Sequence, residues 1–136
     1  MTIEGSPNPH HEARAEPAPL VYVIDDDTAV VESILDVLTF EGYQVEAFTD
    51  PLAALARLRS GARPSVLLLD MVMPEMNGDE VLDALEATGL DVPVVLLSGV
   101  REPGQAAARA AAVLPKPCSL DGLLSTLQSV LARPAP

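Results

Sequence analysis

Val66-Leu67-Leu68-Leu69-Asp70-Met71-Val72-Met73-Pro74-Glu75-Met76-Asn77-Gly78 is the stretch that decides how this chain folds. Its four leading aliphatic residues are too few for a buried helix. They show no polar alternation, so Val66–Leu69 reads as a strand covered on both faces, as a parallel sheet requires. The run stops at a carboxylate, Asp70. The same device recurs: Leu20–Ile24 runs into Asp25, Asp26 and Asp27, and Val94–Leu97 runs into Ser98. Two weaker runs, Gln44–Phe48 and Ala111–Leu114, bring the strands to five, and the last of them leads into Lys116.

Helical patterns lie between these runs. Val30, Val31, Ile34, Val37 and Leu38 form one apolar stripe. Leu52, Leu55 and Leu58 form another, behind Asp50 as N-cap and Pro51 at the first helical position. Val81, Leu82 and Leu85 form a third. Gly42, Gly61 and Gly89 each follow a stripe, where a left-handed cap favours glycine. Leu120, Leu123, Leu124, Leu127, Val130 and Leu131 share the face of a final helix, with Ser119 as N-cap and Pro134 beyond its end. Strand–helix alternation of this kind predicts an α/β fold, a parallel sheet with helices on both faces.

The chain has 136 residues, 49% of them hydrophobic and 21% charged, the balance of one globular domain. Residues 1–19 hold four prolines and no periodic apolar residues, and read as a disordered tail before a domain at 20–133. His10 and His11 in that tail lack the fixed geometry that a metal site needs. Eight Lys and Arg against 20 Asp and Glu leave a net charge of −12, which argues against nucleic acid or an anionic membrane as the main partner. Cys118 is alone, so no internal disulfide forms, and no apolar run approaches the roughly 18 residues of a membrane span. Without a secretory signal, the expected compartment is the cytoplasm.

In folds of this class ligands bind beyond the carboxyl ends of the strands. Those ends carry Asp25, Asp26, Asp70, Ser98 and Lys116, contributed by separate segments. Singly, each has an ordinary explanation: Asp26 and Asp27 favour a helix N-terminus, Asp70 and Ser98 begin turns, and Lys116 is a surface lysine. Together they make a chemical set. Close carboxylates repel one another, and a hard divalent cation, Mg²⁺, removes that cost while sharing its shell with a phosphate. One carboxylate then serves as a nucleophile on phosphorus. Lys116 and Ser98 supply an ammonium and a hydroxyl to the phosphoryl oxygens.

With those residues in place, the chain resembles a response-regulator receiver domain of two-component signalling. The resemblance is carried by Val21–Asp27, Leu67–Gly78, Pro93–Gly99 and Leu114–Pro117, and covers nearly all of residues 20–132. It implies a flavodoxin-like, doubly wound five-stranded sheet of order 2-1-3-4-5, an order that comes from the family and not from the pattern of apolar runs. It implies Asp70 as phosphoacceptor and Asp25 and Asp26 as the acidic pair, Asp26 binding Mg²⁺ directly and Asp25 largely through water. The Val72 backbone carbonyl becomes the third protein ligand beside Asp70, Ser98 the switch hydroxyl, and Lys116 its ion-pairing lysine. The Lys116–Pro117 bond is often cis in this family. The implied partners are a sensor histidine kinase or histidine phosphotransfer protein and a downstream protein target. The oligomeric state is left open, as is a stand-alone receiver against the receiver end of a hybrid kinase.

Three departures stand out. Val113 takes the place of the family's switch aromatic. Only 18 positions separate Ser98 from Lys116, about four fewer than is common, close to one helical turn. The fourth helix is therefore expected to be short or displaced, Ala-rich within Ala106–Ala112. Val72 and Val100 are apolar where they flank the phosphoryl group, which implies slow self-dephosphorylation. Two other readings share part of the chemistry. A haloacid-dehalogenase-type phosphatase also uses an aspartyl phosphate, but Asp25-Asp26-Asp27-Thr28-Ala29 departs from its Asp-x-Asp-x-Thr/Val motif. A pseudo-receiver would bind partners without taking phosphate.

Overall fold

Residues 18–99, 105–116 and 118–132 are described by the computed structural model. The expected tail apart from its last two residues, with His10 and His11, lies outside the described residues, as do Val100 and Pro117. Five strands, β1 (Leu20–Ile24), β2 (Gln44–Phe48), β3 (Val66–Asp70), β4 (Val94–Ser98) and β5 (Ala112–Pro115), alternate with five helices. These are α1 (Thr28–Phe40), α2 (Pro51–Arg59), α3 (Gly78–Thr88), α4 (Gln105–Arg109) and α5 (Leu120–Leu131). Every pairing is parallel and the order is β2-β1-β3-β4-β5, the flavodoxin-like arrangement.

The aliphatic runs pack as their composition dictates. β3 and β4 are buried along their whole length, and β1 over all but its first residue. Alternate residues feed two cores. Tyr22, Ile24, Leu67, Leu69 and Leu96 join Leu55 and Leu58 of α2 and Val81 and Leu85 of α3. Val23, Leu68, Val95 and Leu97 join Ile34 and Leu38 of α1 and Leu123 and Leu127 of α5. Each fully buried aliphatic side chain contributes about 2 kcal/mol of transfer free energy, so both faces of the sheet are locked. Among the described residues, no helix is long and apolar enough to cross a membrane.

Helix ends follow local chemistry. The Asp50 carboxylate accepts from Leu52 N–H at 2.9 Å, ahead of Pro51, and Ser119 Oγ accepts from Gly122 N–H at 2.9 Å. α3 begins with a reciprocal capping box: Asn77 and Glu80 each accept from the other's backbone N–H at 2.9 Å. Gly42, Gly61 and Gly89 all hold positive φ past their helices.

The structure departs from the sequence reading in detail. Leu52, placed on the α2 stripe, is 53% exposed, and Leu120 is 49% exposed. The buried set of α2 is Pro51, Ala54, Leu55 and Leu58, spaced at three, four and seven, and Leu52 lies about 100° around the helix from it. β3 and β4 run one residue further than the aliphatic runs, so Asp70 and Ser98 are themselves ladder residues. β5 starts and ends one residue later than expected. The fourth helix is short, as the spacing required: Gln105–Arg109.

Candidate functional site

Asp25 directly follows β1 and is fully buried. Its Oδ1 accepts from Asp27 N–H at 2.9 Å, and its Oδ2 lies 2.9 Å from Lys116 Nζ. Asp70 ends β3, where its backbone pairs with Leu97 of β4. Its Oδ1 is 3.1 Å from the same Lys116 Nζ and 3.4 Å from Val72 N–H. One ammonium therefore bridges two carboxylates from two strands. Asp26 stands exposed at the rim, and one oxygen from each of Asp25, Asp26 and Asp70 lies within 4.8 Å of the others.

The lysine is delivered by the sheet. Lys116 N–H donates to the Ser98 carbonyl at 2.8 Å, which continues the β4–β5 ladder one step beyond β5. Ser98 itself is buried at the end of β4, one residue beyond the partner of Asp70. The Val72 side chain is 63% exposed. Below this loop, Gly78 packs against Met71. A Cβ at Gly78 would lie 2.6 Å from the Met71 sulfur and 3.3 Å from its Cα, so a larger residue would push on the segment that carries Asp70. Asp27 does not join the acidic group. It caps α1, accepting from Ala29 and Val30 N–H, the ordinary role for an acid there.

The electrostatics follow from the geometry. Burial holds the Asp70 carboxyl above the usual carboxylate range; the Lys116 hydrogen bond opposes this and the Asp25 charge adds to it. Burial alone would lower the Lys116 ammonium, but hydrogen bonds and charge from Asp25 and Asp70 outweigh it and raise the group. Lys116 therefore stays cationic at neutral pH. Three carboxylates and one ammonium leave −3 + 1 = −2 at the pocket. Hard oxygen donors, a residual charge of −2 and an exposed third acid fit a divalent cation of the magnesium class. A cavity of about 510 Å³ opens beside Lys116, lined by Val30, Ser33 and Ile34 of α1 together with Leu97 and Cys118.

The structure thus brings together Asp25, Asp26, Asp70 and Lys116 by direct contact or close approach, with Ser98 beside them on the next strand. Sequence reasoning missed the ion pairs that hold α4. Arg109 Nη1 is 2.9 Å from Asp83 Oδ1, and Nη2 is 3.0 Å from Glu86 Oε2. The i, i+3 spacing of the two acids on α3 was the available signal.

Comparison with known proteins agrees with this fold. The response regulator receiver domain family matches residues 21–128. The response regulator MprA of Mycobacterium avium is 38% identical over 120 residues, covering 85% of this chain and 52% of its own length. The chain thus spans about half the length of the curated relatives it matches. Among solved structures, the chemotaxis response regulator CheY4 of Vibrio cholerae is 30% identical with a TM-score of 0.75, over 83% of this chain and 98% of that one. A CheY-like receiver domain protein from Methanospirillum hungatei is 26% identical with a TM-score of 0.76, over 84% and 94%.

Proposed function

Since the chain belongs to the response regulator receiver domain family, a regulatory module of two-component signalling, we propose that Asp70 accepts a phosphoryl group from the phosphohistidine of a sensor kinase or histidine phosphotransfer protein. The observation that carries this reading is the Lys116 ammonium, 3.1 Å from Asp70 and 2.9 Å from Asp25 in a pocket of three acids. An Asp70 oxygen attacks phosphorus. The O–P bond forms as the P–N bond breaks, and the imidazole nitrogen leaves with the electron pair and takes up a proton from solvent. Lys116 exchanges its contact with Asp70 Oδ1 for one with a phosphoryl oxygen, and the Ser98 hydroxyl donates to another. Asp25, Asp26, Asp70 and the Val72 carbonyl would hold Mg²⁺, which supplies positive charge to the phosphoryl oxygens. The domain catalyses its own phosphorylation and dephosphorylation in this reading, and passes the signal to a protein target in the cytoplasm.

Val72 gives no help to hydrolysis. Its exposed side chain beside Asp70 carries no group that orients an attacking water. The phosphoaspartate is expected to decay over minutes or longer, with Val72→Ala leaving the half-life nearly unchanged. Decay within seconds in the wild type contradicts this assignment.

Intact mass of the full chain, after mixing with Mg²⁺ and acetyl phosphate, tests the acceptor. The expected result is a gain of one phosphoryl group that disappears with a chelator and in Asp70→Asn. No gain, or a gain that survives Asp70→Asn, overturns the reading.

A further inference from the structure

The helix α4 has five residues, Gln105–Arg109. A helix of that length does not hold itself together, because nucleation costs more than so few backbone bonds return. Its structure must come from contacts outside it. Ala106 supplies one, buried in the core that α2 and α3 share. Arg109 supplies the other. Its planar fork meets two carboxylates on one face of α3, Asp83 at 2.9 Å and Glu86 at 3.0 Å. Its Nη2 is shielded from solvent, and its 3.0 Å approach to Glu86 is an ion-pair contact without hydrogen-bond geometry.

Six residues of sequence join Ser98 to Gln105. Ser98 therefore stands close in sequence to a helix that is tied to α3. Val113 offers no ring to couple the two. It pairs with Leu96, so it points to the α3 and α4 face, and it is a small aliphatic residue, 38% exposed.

We infer that Arg109 is a positioning residue of the switch: its contacts with Asp83 and Glu86 hold α4 in the unphosphorylated position and set how readily Ser98 moves. This rests on the phosphoacceptor reading above. An ordinary surface ion pair contributes little. This pair differs in its two-pronged geometry, its shielded nitrogen and the shortness of the helix it holds. Phosphorylation draws on the population in which Ser98 has moved, so weakening the contacts of the starting position enlarges that population. By linkage, phosphorylation weakens the Arg109 contacts to the same degree.

The test compares the wild type, Arg109→Ala, Arg109→Lys and the double variant Asp83→Asn/Glu86→Gln, each as the full chain. Initial phosphorylation rates with Mg²⁺ and acetyl phosphate are read by intact mass at low and high NaCl, alongside thermal melting. Arg109→Ala is expected to react about 3-fold faster than the wild type at low salt, the scale of a modest ion-pair network. The double variant should match it, and Arg109→Lys should fall between. The ratio of variant to wild type should approach one at high salt, where the fork is screened. A salt-independent ratio, equal rates or a slower Arg109→Ala overturns the assignment. A purely structural role would lower the melting temperature without the salt-dependent rate gain. Phosphorylation at equal rates refutes the Arg109 role alone, whereas a wild type that takes no phosphoryl group refutes the acceptor reading and this inference with it.

Discussion

The acid pocket and the α4 segment lie along the same sheet and are built by opposite means. At the pocket, Asp25 and Asp70 are anchored by strands buried over all or all but one of their residues, and Lys116 is fixed by the 2.8 Å continuation of a ladder. At α4, five residues rely on one buried alanine and one arginine whose partners stand mostly in solvent. The pocket must present charges at set distances, so the fold gives it redundant supports. The α4 region has few, which makes it the part of the sheet edge whose position responds to small changes in free energy.

The contrast breaks most visibly in phosphorylation. Lys116→Ala, with the acceptor intact, should lower the acetyl phosphate rate by about 100-fold, the scale for losing one charged donor at a phosphoryl transition state. Next comes stability. Leu68→Ala, at the fully buried centre of β3, should cost about 3 kcal/mol in urea unfolding. Val113→Ala, at a partly exposed position of the edge strand β5, should cost less than about 1 kcal/mol. Similar costs would mean the two regions are equally well packed.

A smaller effect concerns Asp70 itself. Its folded pKa is raised, so the ionised carboxylate is less favourable in the folded chain than in the unfolded one. That cost is present above the folded pKa and vanishes below the unfolded value of about 4. Asp70→Asn should therefore melt higher than the wild type at neutral pH without metal. The gap should close as pH falls towards about 4 and shrink when Mg²⁺ is added. A gap that widens on acidification has the wrong sign. Smallest of all is Tyr22→Phe. The Tyr22 hydroxyl is buried with no hydrogen-bond partner among the described residues, and its ring lies 5.0 Å from Phe48. Removing the oxygen should leave stability within about 0.5 kcal/mol of the wild type or raise it slightly.

What could be read from the chain depended on how local the signal was. The five strands were visible because three are nearly unbroken aliphatic runs, and a strand buried on both faces needs little else. Asp25, Asp70 and Ser98 stood out because each closes such a run, and topology then carries them to one edge. Leu52 misled because three leucines at equal spacing of three suggest a stripe, whereas a 3.6-residue turn carries the stripe through Ala54. The capping box of α3 was present in Asn77 and Glu80 and hidden inside the Asp70–Gly78 motif. Arg109 was only half legible: the i, i+3 acids on α3 mark a face that could take a cation, but they lie more than twenty positions upstream and nothing in the sequence joins them to Arg109.

β3 is hydrogen-bonded on both sides, Met71 N–H extends that pairing to the Leu97 carbonyl at 3.1 Å, and Gly78 N–H closes onto Met71 at 2.8 Å. The Met71 and Gly78 amides beside Asp70 are therefore expected to exchange more slowly than those of α4. Asp70 is the stationary post of this molecule, held from both sides of the sheet. Under the proposed function, a phosphodonor meets it already in place.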